Sequence, residues 1–285
     1  MKLSVWQWLT ILWLVVLHLG PYVVVFTGTV SSLLMTYWVL FSAPLAQGTI
    51  LGAQLIYGGA PTAWRRLIAV AGNVTLLTVT VMLAGQLLIF LGLQAMVVTL
   101  EVTLGGWLAS RFLRDLPSAR TRSRKVQFDL WEVVATIGLI GVLLAIVSFA
   151  GGDPTSLLWQ LLDPSFVALA VSGGLFGLAC SAVVIASSLR RRVVWGIGSV
   201  LLWGVLPWIH LAVFYPFFSS SLSPPSSVIF AQLYPTLGFQ AVMIWGTLLP
   251  LRMAFPGFLR GREPQAGEEE MPSEAVESED FAEMR

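Results

Sequence analysis

Charge is what this sequence has least of. Only 11% of its residues are charged while 56% are apolar, and the mean hydropathy is strongly positive. That balance excludes a water-soluble globular domain. Acids are concentrated at one end, with nine of the fifteen in 263–285. Cys180 is the only cysteine, so there is no disulfide framework. The chain has two histidines, His18 and His210, and it lacks a Gly-rich phosphate loop, His-Glu-x-x-His, Cys-x-x-Cys and Gly-x-Ser-x-Gly. Nucleotide hydrolysis, zinc proteolysis and serine hydrolysis therefore have no motif to rest on. With so few ligands a metal site is not expected. The basic residues are not interleaved with aromatics as in single-strand binders, so no nucleic-acid partner is expected either.

Long apolar runs fill most of the remainder. From Val5 to Tyr57 there is no charge at all, and a span needs roughly 20 residues. Runs such as 9–26 and 137–149 do not alternate apolar with polar, which excludes a β-barrel. The expected fold class is all-α, a polytopic membrane protein. Its first span is 5–26, too long for a signal peptide's apolar core. The second is 32–57, with Pro44 inside and Gly48-x-x-x-Gly52 as a close-packing face. Between Leu67 and Ser110 the only charge is Glu101. That stretch holds two spans, turning at Ala84-Gly85-Gln86 in preference to 91–94. The fifth to eighth spans are 131–150, 166–189 (with Gly173-x-x-x-Gly177), 193–217 and 228–251. A short segment, 155–162, is expected in the interface.

The charges sort the loops. With both termini cytoplasmic, every Lys and Arg falls on the inner side and only Asp153 and Asp163 fall outside, as the positive-inside rule requires. Trp6, Trp8, Trp64, Trp107, Trp131 and Trp195 all fall at inner boundaries, as an aromatic belt would. The expected architecture is eight transmembrane helices arranged as four hairpins in a cell membrane: a membrane half 1–110, a cytoplasmic Arg-rich loop 111–129, a second membrane half 130–262 and a disordered acidic tail 263–285. The two halves match in length and loop charge, but no residue alignment emerges between them. The Arg-rich loop carries six of the sixteen basic residues and is expected to rest on anionic lipids, at roughly 1 kcal/mol per basic residue near the surface.

A few polar residues are out of place in such a chain. An acid at bilayer depth costs roughly 2.5 to 3.5 kcal/mol and faces a cavity or a partner, which singles out Glu101. Counting at about 1.5 Å per residue places Glu101, Asn73, Gln47 and Gln240 about 10 to 15 Å from the inner surface. Such a layer is either a substrate or proton site, with Glu101 neutral until water reaches it, or hydrogen-bonded packing between helices. His18 and His210 fall in the outer third of two helices, where they are either b-type haem ligands or two histidines bonded within the protein. The reading without haem, and so without a cofactor, is preferred. Three function classes follow: a secondary transporter or permease subunit, which is favoured; a structural or assembly subunit of a larger membrane complex, with a membrane-protein partner or a second copy; and an intramembrane enzyme or haem electron carrier.

Overall fold

With no water in the bilayer interior, a backbone must satisfy its own hydrogen bonds, and a helix does so within one segment. The apolar runs accordingly form helices. The computed structural model describes residues 3–27, 33–58, 62–84, 86–112, 148, 164–186, 188–214 and 226–259. They form α1 (Val5–Phe26), α2 (Leu33–Tyr57), α3 (Thr62–Ala84), α4 (Gln86–Phe112), α5 (Pro164–Ile185), α6 (Leu189–Phe214) and α7 (Ser226–Ala254). Six of these seven are long and apolar enough to cross a membrane. The chain is a multispanning helical membrane protein.

Local chemistry sets the ends. Ser4 and Gln7 form a reciprocal cap on α1: the Gln7 carboxamide accepts from Ser4 N–H at 2.9 Å and the Ser4 hydroxyl from Gln7 N–H at 3.3 Å. α3 ends at Ala84 and α4 begins at Gln86, which agrees with the expected division of this stretch into two spans. Other boundaries move. The sixth expected span ends at Ile185, not Leu189, because the Ser188 hydroxyl accepts from Arg191 N–H and starts a new helix. The third begins at Thr62, not Leu67. Its Arg65 sits inside the first turn, where the guanidinium donates to Leu55 O (2.8 Å) and Ile56 O (3.0 Å) at the end of α2. Arg192 does the same to Ala186 O just past α5, and Arg252 to Val184 O. These cations thus satisfy and complement helix C-termini. The expected fifth span 131–150 (apart from Ser148), 113–129 of the Arg-rich loop, segment 155–162 and the tail 263–285 lie outside the described residues.

In the packing, α2 touches α1, α3, α4, α5 and α7. It forms a central group with α4, α5 and α7; α3 lies against α2 and α4, α6 against α5 and α7, and α1 against α2 and α7. Glycine sets the closest approaches. A Cβ on Gly48 would overlap the Ala95 carbonyl, and one on Gly52 would come 2.8 Å from Thr99 O, so α2 and α4 meet backbone to backbone. On α5, Gly173 faces Leu45 and Gly177 faces Thr49. Both Gly-x-x-x-Gly faces therefore lie between helices, as expected. The outer faces of α1 and α6 instead expose Trp6, Trp8, Val194, Val200 and Leu201, which suits lipid.

Prolines inside α7 free two carbonyls, and tryptophans of other helices take them up. Pro235 has no N–H for Ala231 O, which accepts from the Trp38 indole of α2 at 2.8 Å. Pro250 leaves Gly246 O without its helical donor, and the Trp13 indole of α1 donates to it at 2.8 Å. Helix-breaking residues are tolerated in a membrane where a neighbour re-satisfies the backbone in this way.

Candidate functional site

The polar residues picked by depth belong to four different helix contacts. Gln47 of α2 lies in a hydrogen-bond chain that joins three helices. The Tyr22 hydroxyl donates to Gln47 Oε1 at 2.9 Å, Gln47 Nε2 lies 3.3 Å from His18 Nδ1, and His18 Nε2 lies 2.9 Å from Thr247 Oγ1. Thr247 in turn donates to Met243 O at 2.7 Å. Only one set of directions satisfies the whole chain: the amide donates to Nδ1, so His18 carries its proton on Nε2 and gives it to Thr247. Depth counting put His18 in the outer third and Gln47 nearer the inner surface, but the two are in contact. With both ring nitrogens engaged, His18 has no lone pair to offer iron, so its geometry lends the haem reading no support. His210 is a buried residue of α6.

Asn73 of α3 is equally well occupied. Its Nδ2 donates to Ala69 O at 2.9 Å. The Thr99 hydroxyl gives its proton mainly to Ala95 O at 2.7 Å, with Asn73 Oδ1 as a second acceptor at 3.3 Å. Gln240 of α7 is fully buried and reaches across the central group, Nε2 donating to Gly173 O at 2.8 Å and to Thr49 Oγ1 at 3.4 Å. Its Oε1 has no partner among the described residues.

Glu101 differs from all of these in making no hydrogen bond among the described residues. It lies half-buried on α4 with its carboxyl against Gly174 of α5, where a Cβ would overlap the acid itself. Glycine here makes the room the carboxyl occupies. Oε2 is buried and has no hydrogen-bond partner among the described residues. No hydrogen bond joins Glu101 to Asn73, Gln47 or Gln240 among those residues, and the reason is rotational. Thr99, which meets Asn73, and Glu101 are two residues apart, about 200° around a helix, so they face opposite neighbours.

Sequence reasoning passed over Gln94 and Gln54, both buried, with Gln94 Nε2 and both Gln54 amide atoms unpartnered among the described residues. The signal was available, since each is an amide at or near bilayer depth. Most buried hydroxyls offer nothing comparable: Thr10, Thr49, Thr99, Thr236 and Ser199 each bond the carbonyl four residues back. No group of three or more metal-ligating side chains occurs among the described residues. Comparison with protein families, with characterised proteins and with solved structures yields no match.

Proposed function

We propose that the protein is a secondary transporter or permease subunit of the cell membrane in which Glu101 is the acid that exchanges a proton or cation. One observation carries this reading: a carboxyl wedged between two membrane helices, in space left by Gly174, with an oxygen that nothing in the described residues satisfies. Packing residues are selected to have their hydrogen bonds made, because an unmade one costs about 1 to 3 kcal/mol. An acid left open to a second partner is suited to ionise when water reaches it and to couple that change to helix movement. The eight-span topology with cytoplasmic termini, and anionic lipid held at 111–129, belong to the same proposal.

A carbodiimide that attacks protonated membrane carboxyls tests it without knowledge of the substrate. The expected product is an acylurea on Glu101, found by mass spectrometry in intact vesicles and lost as pH rises, with a matching loss of proton movement in Glu101→Gln vesicles. An unmodified Glu101, or proton movement unchanged by Gln, sinks the reading. Sidedness has its own check in a Cys180→Ala background: an impermeant thiol reagent should label a cysteine placed at Ser156 in intact cells and spare one at Ser118.

A second reading, a structural subunit of a membrane complex, draws on the other polar residues. Gln47, Asn73 and Gln240 tie helices together as packing glue would. It is favoured if Glu101→Gln is silent in both assays.

A further inference from the structure

The helix contacts supply a register that connects the two halves of the chain. Gly48 of α2 meets Ala95 of α4, and Gly173 of α5 meets Gln240 of α7. Setting Gly48 on Gly173 also sets Gly52 on Gly177, Phe41 on Phe166 and Ala43 on Ala168. In α4 and α7, a register one residue from that contact pair sets Gln86, Leu87, Leu91, Gly92, Gln94 and Ala95 on the identical Gln232, Leu233, Leu237, Gly238, Gln240 and Ala241. In α3 and α6, Arg65, Arg66, Gly72, Val74, Leu76 and Val79 fall on Arg191, Arg192, Gly198, Val200, Leu202 and Val205.

The contacts repeat with the residues. Asn73 and Ser199, aligned and both buried, bond back to the aligned carbonyls of Ala69 and Trp195. Gly52 abuts Thr99, and the residue aligned with Thr99, Trp245, also contacts the first helix of its copy, donating to Cys180 O. Arg65 caps α2 from α3, and Arg192, one residue past the position aligned with it, bonds the end of α5 from α6. Flanking helices also correspond, α3 on α2 and α4, α6 on α5 and α7. Helices α2–α4 and α5–α7 are thus copies of one unit. Each copy enters its first shared helix from the same side, so the relating axis runs along the membrane normal, an arrangement in which sites form between the repeats.

At that boundary each copy supplies one glutamine. Gln94 is 1% exposed and Gln240 0%. Gln240 spans the boundary, bonding Gly173 of its own copy and Thr49 of the other. Gln94 lies on α4, which packs against α2 of its own copy and α5 of the other. Among the described residues the Gln94 amide NH2 lacks an acceptor and the Gln240 carbonyl lacks a donor. We infer that Gln94 and Gln240 are the two repeat-related contacts of a binding position between the copies, for a small uncharged solute that offers a hydrogen-bond acceptor to one and a donor to the other. This rests on the permease reading and names its substrate class: amide or hydroxyl solutes, which share that pairing.

The test uses full-length protein in liposomes, with urea and glycerol as the amide and hydroxyl probes and stopped-flow light scattering as the readout. Wild type should pass at least one probe faster than protein-free liposomes, and which one passes separates amide from hydroxyl recognition. Gln94→Met and Gln240→Met keep the volume and remove the amide, so each should elute as wild type in detergent. Each should cut the protein-dependent rate about fivefold, the effect of one lost hydrogen bond of ordinary strength on binding. Flux of neither probe, or flux that survives both substitutions, overturns the inference. Glu101→Gln keeps the two ideas apart: flux that depends on the glutamines but is indifferent to Glu101 and to pH removes the coupling acid and leaves the binding position standing.

Discussion

Thr247 and Glu101 occupy aligned places in the two copies, on α7 and α4, yet their surroundings are opposites. Around Thr247 every polar group is matched: His18, Gln47, Tyr22 and the Met243 carbonyl form one closed chain. Around Glu101 an acid faces a glycine, and one oxygen has no partner among the described residues. The same scaffold position has thus been used once to fasten α1 to its neighbours and once to hold an ionisable group in the membrane. A polar residue in a span is a site candidate only after its hydrogen bonds have been counted, and depth alone does not count them.

The largest expected effect tests the scaffold that both places share. Gly48 meets backbone, which cannot move aside, whereas Gly173 meets the end of the Leu45 side chain, which can. Gly48→Leu should cost more than about 3 kcal/mol, at or beyond the usual overpacking range, while Gly173→Leu should cost less. Gly196, where a Cβ meets nothing within 4 Å, is the control and should accept Leu with little change in melting. Equal melting of all three variants in detergent would contradict the backbone contact.

Breaking the closed side comes next. Gln47→Leu strands the Tyr22 hydroxyl and His18 Nδ1 together, and about 3 kcal/mol should be lost, since each unmade buried bond costs about 1 to 3 kcal/mol. His18→Leu in the same background should add less than it costs alone, because the two residues share one chain. Additive melting shifts would show that the chain does not act as a unit.

A smaller effect separates backbone repair from side-chain packing. Trp13→Phe removes the donor to Gly246 O, at about 1 kcal/mol. In a Pro250→Ala background the residue at 250 again has an N–H for that carbonyl, so Trp13→Phe should then cost measurably less. The same penalty in both backgrounds would mean that the indole acts by packing alone.

Much of this fold was legible in the sequence because length, charge and glycine spacing act locally. The apolar runs, the end of α3 at Ala84 and both Gly-x-x-x-Gly faces follow from residues close together in the chain. Helix ends at Arg65 and Ser188 were misplaced because charge marks where the membrane ends, and a helix continues past that point when its first turn caps a neighbour. The site was less legible for a different reason. Counting along a helix gives depth but not rotation, and rotation sent Thr99 towards Asn73 and Glu101 towards Gly174. The copies escaped notice because α4 follows α3 after Gly85 alone, whereas 215–225 separates α6 from α7. A constant offset therefore cannot align all three helices, because the register lengthens between α6 and α7.

The smallest expected effect is on the open side, and it discriminates best. Glu101→Gln keeps shape and neutral hydrogen-bonding capacity while removing the proton. Oε2 bonds nothing among the described residues, so no partner there is stranded, and the melting temperature should stay within the range of an ordinary neutral substitution, about 0.5 kcal/mol. Glu101→Leu should be nearly as mild, since it removes an acid whose burial is itself unfavourable. This inverts the behaviour of Gln47, where the apolar replacement is the damaging one. Gly174→Ala completes the argument: its methyl enters the space of the carboxyl and should displace Glu101, lowering carbodiimide labelling without removing the acid. If Glu101→Leu instead destabilises as much as Gln47→Leu, Glu101 is bonded after all and is packing glue like the rest. If Leu is tolerated while proton movement is lost, the acid was kept for something other than holding the helices together.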